Sequence, residues 1–366
     1  MRRTASGITC VFVLSLVTLL APAADALALT LPGVTFSAPQ IEAPDRTDMV
    51  YSSTQKTLYI TSGSSILRFS LSTKKFLSPI NLGGDLNGID LSADGKTLAA
   101  ADTSLMSLVL INLSSLKVTK LPFTPGQDEV GLYDVAWGAD NMVYASGALP
   151  PGTSGWVELR KMNPTTSQVQ VIGGEPVSNE TVLRASPDRT VIGFAQGAIA
   201  DGRWGGIDTR TGVVTMRDGF QGTGAYNNDI AVSRQGNEFA VSTTSGDLIY
   251  NKSFTSTGFL VDPGATIYNQ SGQPYRQQYL GSESVPTALD GVGYSPSTGD
   301  ICAGRPGASS IAVFNPANLK LIEKINVTTT FPGSGNQPFS DSIFRFSADG
   351  KLLFFTVPGG IDYITG

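Results

Sequence analysis

The stretch GIDLSADGKTLAAAD, Gly88 to Asp102, decides the fold. A short strand breaks at Ser92, turns through Ala93-Asp94-Gly95-Lys96 and resumes as a second, apolar strand, the pattern of a tight hairpin. The same phrase recurs as DMVYSSTQKTLYIT from Asp48, DVAWGADNMVYAS from Asp134, VLRASPDRTVIGFA from Val182, DIAVSRQGNEFAVS from Asp229, GVGYSPSTGDICAG from Gly291 and IFRFSADGKLLFFT from Ile343. Aligned on the small residue at the break (Ser52, Ser92, Gly138, Ser186, Ser233, Ser295, Ser347), the copies are spaced by 40, 46, 48, 47, 62 and 52 residues. Each copy continues into a third and a fourth strand split by polar turns such as STKK, NPTT and NPAN. A period in the forties filled with strands and turns predicts an all-β, seven-bladed β-propeller with four-stranded blades starting near 48, 88, 134, 182, 229, 291 and 343.

The last copy has one further strand, IDYITG, after FFTVPGG. A blade without its outer strand exposes an unpaired edge, so the segment LTLPGVTFSAPQI, residues 29–41, is expected to complete the last blade and close the ring. No linker or low-complexity tract divides the repeats, and residues 29–366 read as one domain.

The beginning of the chain reads differently. Arg2 and Arg3 precede an apolar run from about Ile8 to Leu20 and small residues ending in Ala26-Leu27-Ala28, the plan of a secretory signal peptide over residues 1–28. The run is too short for a membrane span, and no later stretch approaches the ~20 apolar residues that a span needs. The expected location is periplasmic or extracellular, with a monomer as the default state.

Composition removes several function classes. The net charge is −5, which disfavours nucleic acid and anionic lipid as partners. Histidine is absent, so no Ser-His-Asp or Cys-His nucleophile system, HExxH zinc site or histidine-ligated haem can be built. Of the two cysteines, Cys10 lies in the leader and Cys302 in the apolar strand ICAG, which leaves no intrachain disulfide and reads as a buried small hydrophobe.

In a propeller the first strand of every blade lines the central channel, and the residues leading into those strands gather at one mouth. That places Asp48, Asn87, Asp134, Thr181, Asp229, Asp290 and Asp341 together, with Asn228 beside Asp229. A ring of carboxylates repels itself, raising pKa values or recruiting an oxygen-loving cation such as Ca²⁺ or Mg²⁺. The alternative is that each Asp or Asn caps its own turn and points away from the axis.

The longest connection, residues 263–286, emerges on that same face and carries Tyr268, Tyr275, Arg276 and Tyr279 in a polar context suited to stacking on a ring ligand or a partner. Trp156 and Trp204 are expected to begin third strands and pack between blades. Asn-x-Ser/Thr sequons fall at Asn112, Asn179, Asn251, Asn269 and Asn326 and matter only in a glycosylating host.

SADGKTLAAAD from Ser92 and SADGKLLFFTVPGG from Ser347 resemble the repeat phrase of the YVTN-type family of secreted bacterial β-propellers, and the resemblance implies fold rather than activity. LNGIDLSADGKTLAAADT from Leu86 and LDGVGYS from Leu289 resemble the NG and DG segments of the gluconolactonase and SMP-30 propellers. That likeness implies a divalent metal held by Asn87 and Asp290, polarising a lactone and activating water. The expectation is an exported binding or interaction module, taking a protein, glycan or small molecule through its loop-rich face. The alternative is a metal-dependent lactone or ester hydrolase, and a subunit of a periplasmic redox complex, with its cofactor on another chain, is a third possibility.

Overall fold

The computed structural model describes residues 40–218, 226–243, 246–251, 256–259, 289–304, 309–331, 338–339 and 343–366. All regular structure among them is β. Six blades are each built from four consecutive antiparallel strands, with inner strands Arg46–Ser52, Leu86–Leu91, Gly131–Trp137, Thr181–Ala185, Asn227–Val232 and Asp290–Tyr294 for blades one to six. The remaining strands do not repeat that plan. Phe344–Phe346, Leu352–Val357 and Gly360–Thr365 form a sheet whose fourth strand is the two-residue Ile41–Glu42 from the other end of the described chain.

The expectation of a seven-bladed propeller is corrected accordingly. The count of continuous four-stranded blades is six, and the sheet that completes the ring is a composite of both chain ends. The physical reason is that the last repeat supplies three strands, and the open edge of Gly360–Thr365 takes its partner from elsewhere. Of the segment proposed to close the ring, the described part supplies Ile41, which with Glu42 forms the closing strand. Ile41 pairs with Ile361 and Glu42 with Gly360, Gln40 N donates to Asp362 Oδ1 at 2.8 Å, and residues 29–39 lie outside the described residues.

The break serine has a definite task. In blade two the Ser92 hydroxyl donates to Asp94 Oδ1 at 2.7 Å while its oxygen accepts the backbone N–H of Thr97 at 2.9 Å. Ser186 and Ser347 repeat both contacts with Asp188 and Val191, and with Asp349 and Leu352. The side chain thus ties the end of the first strand to the start of the second, satisfying donors that the turn leaves over. Blade three has Gly138 instead, because a Cβ there would meet the Tyr144 ring at 2.7 Å and Asp140 Oδ1 at 2.5 Å.

Inner strands touch in order around the axis, and Phe344–Phe346 returns to Arg46–Ser52. The core lies between neighbouring sheets rather than within one. Ala136, Tyr144, Leu159, Leu183, Ile192 and Phe194 fill the gap between blades three and four, and Ile41, Met49, Phe69, Phe354 and Ile361 fill that between the composite sheet and blade one. Trp204 begins a third strand and is buried between blades four and five, as its sequence context predicted. Trp156 also begins a third strand, yet it stands 52% exposed and does not pack between blades as expected.

Candidate functional site

The inner strands of blades one, two, three, five and six slip register near their leading ends, at 46–49, 86–89, 132–134, 227–229 and 290–292. An extra residue in one strand bends it and re-aims the neighbouring side chain. Here the bulge turns Asp48, Asp134 and Asp229 into the axis, where all three are buried. The equivalent positions four before the break in blades two and six are Gly88 and Gly291. Gly88 has no room for more: a Cβ on it would lie 1.8 Å from Asp134 Oδ1.

The three carboxylates do not face one another bare. Two residues further along their own strands, Arg184 of blade four and Arg345 of the composite sheet fold back onto them. Arg184 Nη1 lies 2.6 Å from Asp134 Oδ2 and 3.6 Å from Asp48 Oδ2, and its Nε lies 3.1 Å from Asp229 Oδ1. Arg345 donates to Asp48 Oδ1 from Nε (3.2 Å) and Nη2 (3.0 Å), and to Asp229 Oδ2 from Nη1 (2.9 Å). Backbone N–H groups complete the set, with Leu183 and Val135 donating to Asp134 and Ile230 to Asp229.

Three carboxylates with two guanidiniums leave one negative charge in excess. Burial pushes Asp134 up to about 7, helped by the nearby Asp48 and opposed by Arg184 and its two backbone donors. Burial disfavours charge on Arg184 too, but Asp48, Asp229 and Asp134 outweigh it and hold that guanidinium firmly protonated.

These two arginines were missed in reading the sequence. Their signal was present: VLRAS and IFRFS put a cation in the interior of an apolar inner strand, where a charge is tolerated only when paired, while the matching positions elsewhere are Val50, Ala136, Ala231 and Gly293. Asp90 is the one other charged residue at that position.

The predicted ring of ligands is brought together only in part. Asp48, Asp134 and Asp229 converge; Asn87, one position before the axis-facing glycine, donates from Nδ2 to Tyr133 O at 3.0 Å in the next blade. Of Asp290 only the backbone is described, pairing with Gly304, and Asp341 lies outside the described residues. A calcium, magnesium or lactonase-type metal does not fit the three converged carboxylates. Five of the six oxygens of the three converged carboxylates already accept from guanidinium or backbone donors, the sixth, Asp48 Oδ2, lies 3.6 Å from Arg184 Nη1, two fixed positive charges stand among them, and among the described residues no three His, Cys, Asp or Glu side chains group to hold an ion. Tyr268, Tyr275, Arg276 and Tyr279 lie outside the described residues.

On one side of the charge layer the channel is filled. Phe339, from the composite sheet's leading segment, reaches blades three and four: its ring centroid is 5.4 Å from that of Tyr133 and 5.2 Å from the Arg184 guanidinium carbon. Pro338 seats against Gly197, where a Cβ would meet its Cγ at 2.6 Å. On the other side, towards the break turns, a cavity of about 400 Å³ runs from Asp48, Arg184 and Arg345 to a rim formed by the turns at Ser52–Thr54, Ser92–Gly95 and Ser186–Arg189. The channel is therefore a blind pocket, floored by arginine, with its mouth on the turn face.

At that mouth Arg189 spans three blades. Its Nη1 donates to Asp90 Oδ2 of blade two at 2.7 Å and to Trp137 O of blade three at 3.0 Å, while Nη2 lies 3.3 Å from Asp90 Oδ1. Asp90 also accepts the Trp137 and Leu91 N–H groups. Arg189 has φ of 59°, at the turn position where Gly95, Gly236 and Gly350 stand in other blades.

No family model and no curated protein matches the chain. Among solved structures, Kuenenia stuttgartiensis hydrazine synthase superposes with a TM-score of 0.62 at 14% identity, covering 90% of this chain and 98% of that one. A structure described as the Dos1 propeller gives 0.62 at 13% identity, over 87% of this chain and 78% of that one. Likeness at this identity shows the β-propeller fold alone.

Proposed function

We propose that this protein is an exported binding module that takes its ligand into the blind axial pocket through the turn face. The observation that carries the reading is the pocket itself: about 400 Å³, closed behind by Phe339, with compensated charges at its floor and rim. A concave site of ~300–1,000 Å³ with a few convergent polar groups is the usual form of a small-molecule site. The Arg-led apolar leader supports export, and the repeat phrase SADGK supports kinship with secreted YVTN-type propellers. The loop-rich face is the less supported surface, since Phe339 and Tyr133 fill the channel on that side.

Ala348 lines the rim and is exposed, and Cys302 is fully buried with its thiol pushed up by burial, so a cysteine placed at 348 is the one maleimide reaches in the folded described structure. Ala348→Cys should capture small molecules from an extract of the producing cells, as read by mass spectrometry of the bound fraction, and lose that capture once alkylated with a bulky maleimide. Capture unchanged by alkylation would place the site elsewhere.

A further inference from the structure

We infer that the pocket recognises a neutral, hydroxyl-rich ligand of mono- or disaccharide size, read at the mouth by the Arg189–Asp90 pair. This rests on the reading of the channel as a binding pocket.

The argument starts from which atoms a ligand can reach. At the floor the side chains of Arg184 and Arg345 are 12% and 15% exposed, whereas Asp48, Asp134 and Asp229 are 1%, 0% and 3% exposed. A cation entering the pocket meets guanidinium N–H groups first and is repelled. An anion meets guanidiniums whose charge is already matched by the carboxylates behind them. An uncharged acceptor oxygen suffers neither penalty and can accept directly from the guanidinium edge.

The mouth repeats the pattern in a second layer. Arg189 offers donors and Asp90 acceptors, side by side in one bidentate pair, with side chains 19% and 16% exposed. A hydroxyl is both donor and acceptor, so one vicinal diol satisfies both members without leaving either charge unpaired. A ligand with only acceptors or only donors satisfies one of them. Between the two layers the walls are kept open by Val50, Ala136 and Ala231, and half-buried Tyr51 and Phe346 supply apolar faces for the C–H side of a sugar ring.

Arg189 gives an independent reason to look at the mouth. Three other blades solve the same turn with glycine at φ of 65–70° and blade three with Asn141 at 59°, residue types suited to that conformation. An arginine there is strained, and its side chain is directed across the pocket to a residue 99 positions away in sequence.

The test titrates the protein with glucose, maltose, cellobiose, glucuronate and glucosamine by calorimetry and saturation-transfer NMR. The alkylated Ala348→Cys protein serves as the blocked reference. Expected is binding of at least one neutral sugar, at least tenfold weaker binding of glucuronate and glucosamine, and loss of the signal in the blocked protein. Arg189→Gly should cost at least tenfold in affinity with an unchanged or raised unfolding temperature, because it restores the turn's usual residue. Asp90→Asn should weaken the same ligand. Tighter binding of a charged sugar, binding of no sugar, or full affinity in Arg189→Gly overturns the inference. If no sugar binds while alkylation still blocks capture from extract, the ligand class is wrong and the pocket reading stands; if alkylation blocks nothing, both fall.

Discussion

Asp134 sits where burial and ion pairing oppose one another most directly. Its folded pKa of about 7 lies above the ordinary 3.8, so between these values the native chain holds a proton that the unfolded chain has released. With more protons bound in the native state, stability falls as pH rises from about 4 to about 7 and is level above. Denaturant unfolding at pH 5 and pH 7.5 should show the wild type more stable at the lower pH over this interval, and Asp134→Asn should flatten the difference. The sequence marked Asp134, Asp48 and Asp229 as axial because each stands four residues before a break. It did not mark what they meet. Arg184 and Arg345 were visible only as cations in apolar strands, and Asn87, expected beside the acids, instead donates to Tyr133 O in the next blade.

Among the elements, the bulged inner strand carries the site. Blade two gives up its side chain at Gly88 so that Asp134 of blade three can occupy the space. Gly88→Ala puts a methyl 1.8 Å from Asp134 Oδ1 and 2.7 Å from its backbone Cα, neither of which can move away without opening the ion network. It should cost about 3 kcal/mol in chemical denaturation, at the upper end of overpacking. Gly63→Ala, with nothing within 4 Å but a φ of 53°, should cost about 1 kcal/mol through backbone strain alone. Bulges are hard to read from sequence because they change register without changing composition, and only the partner strand shows where the extra residue falls.

For the whole molecule, closure joins the two ends of the described chain. Two residues pair with Gly360–Thr365, and Ile41 is fully buried between the composite sheet and blade one. Ile41→Ala should lower stability by about 2–4 kcal/mol as a core truncation. A chain lacking everything before Asp45 should expose the edge at Gly360–Thr365 and show concentration-dependent association by light scattering, since an unpaired edge is a template for another strand. The sequence showed that the last repeat is a strand short, but counting it as a seventh blade missed a difference in kind: six blades are local products of their own sequence, and the composite sheet is made by two ends that meet only on folding.

The sequence by itself determined the strand-and-turn period, the four-stranded sheets and the small residue at each break, because these depend on residues within one repeat. Tertiary structure alone decided the chemistry of the axis. Arg345 meets Asp48 across 297 residues and Arg189 meets Asp90 across 99, and no local pattern encodes which blade faces which once the ring is closed. A ring of acids in the sequence thus became a neutralised floor in the fold, since buried carboxylates are stable in company only with paired counter-charges.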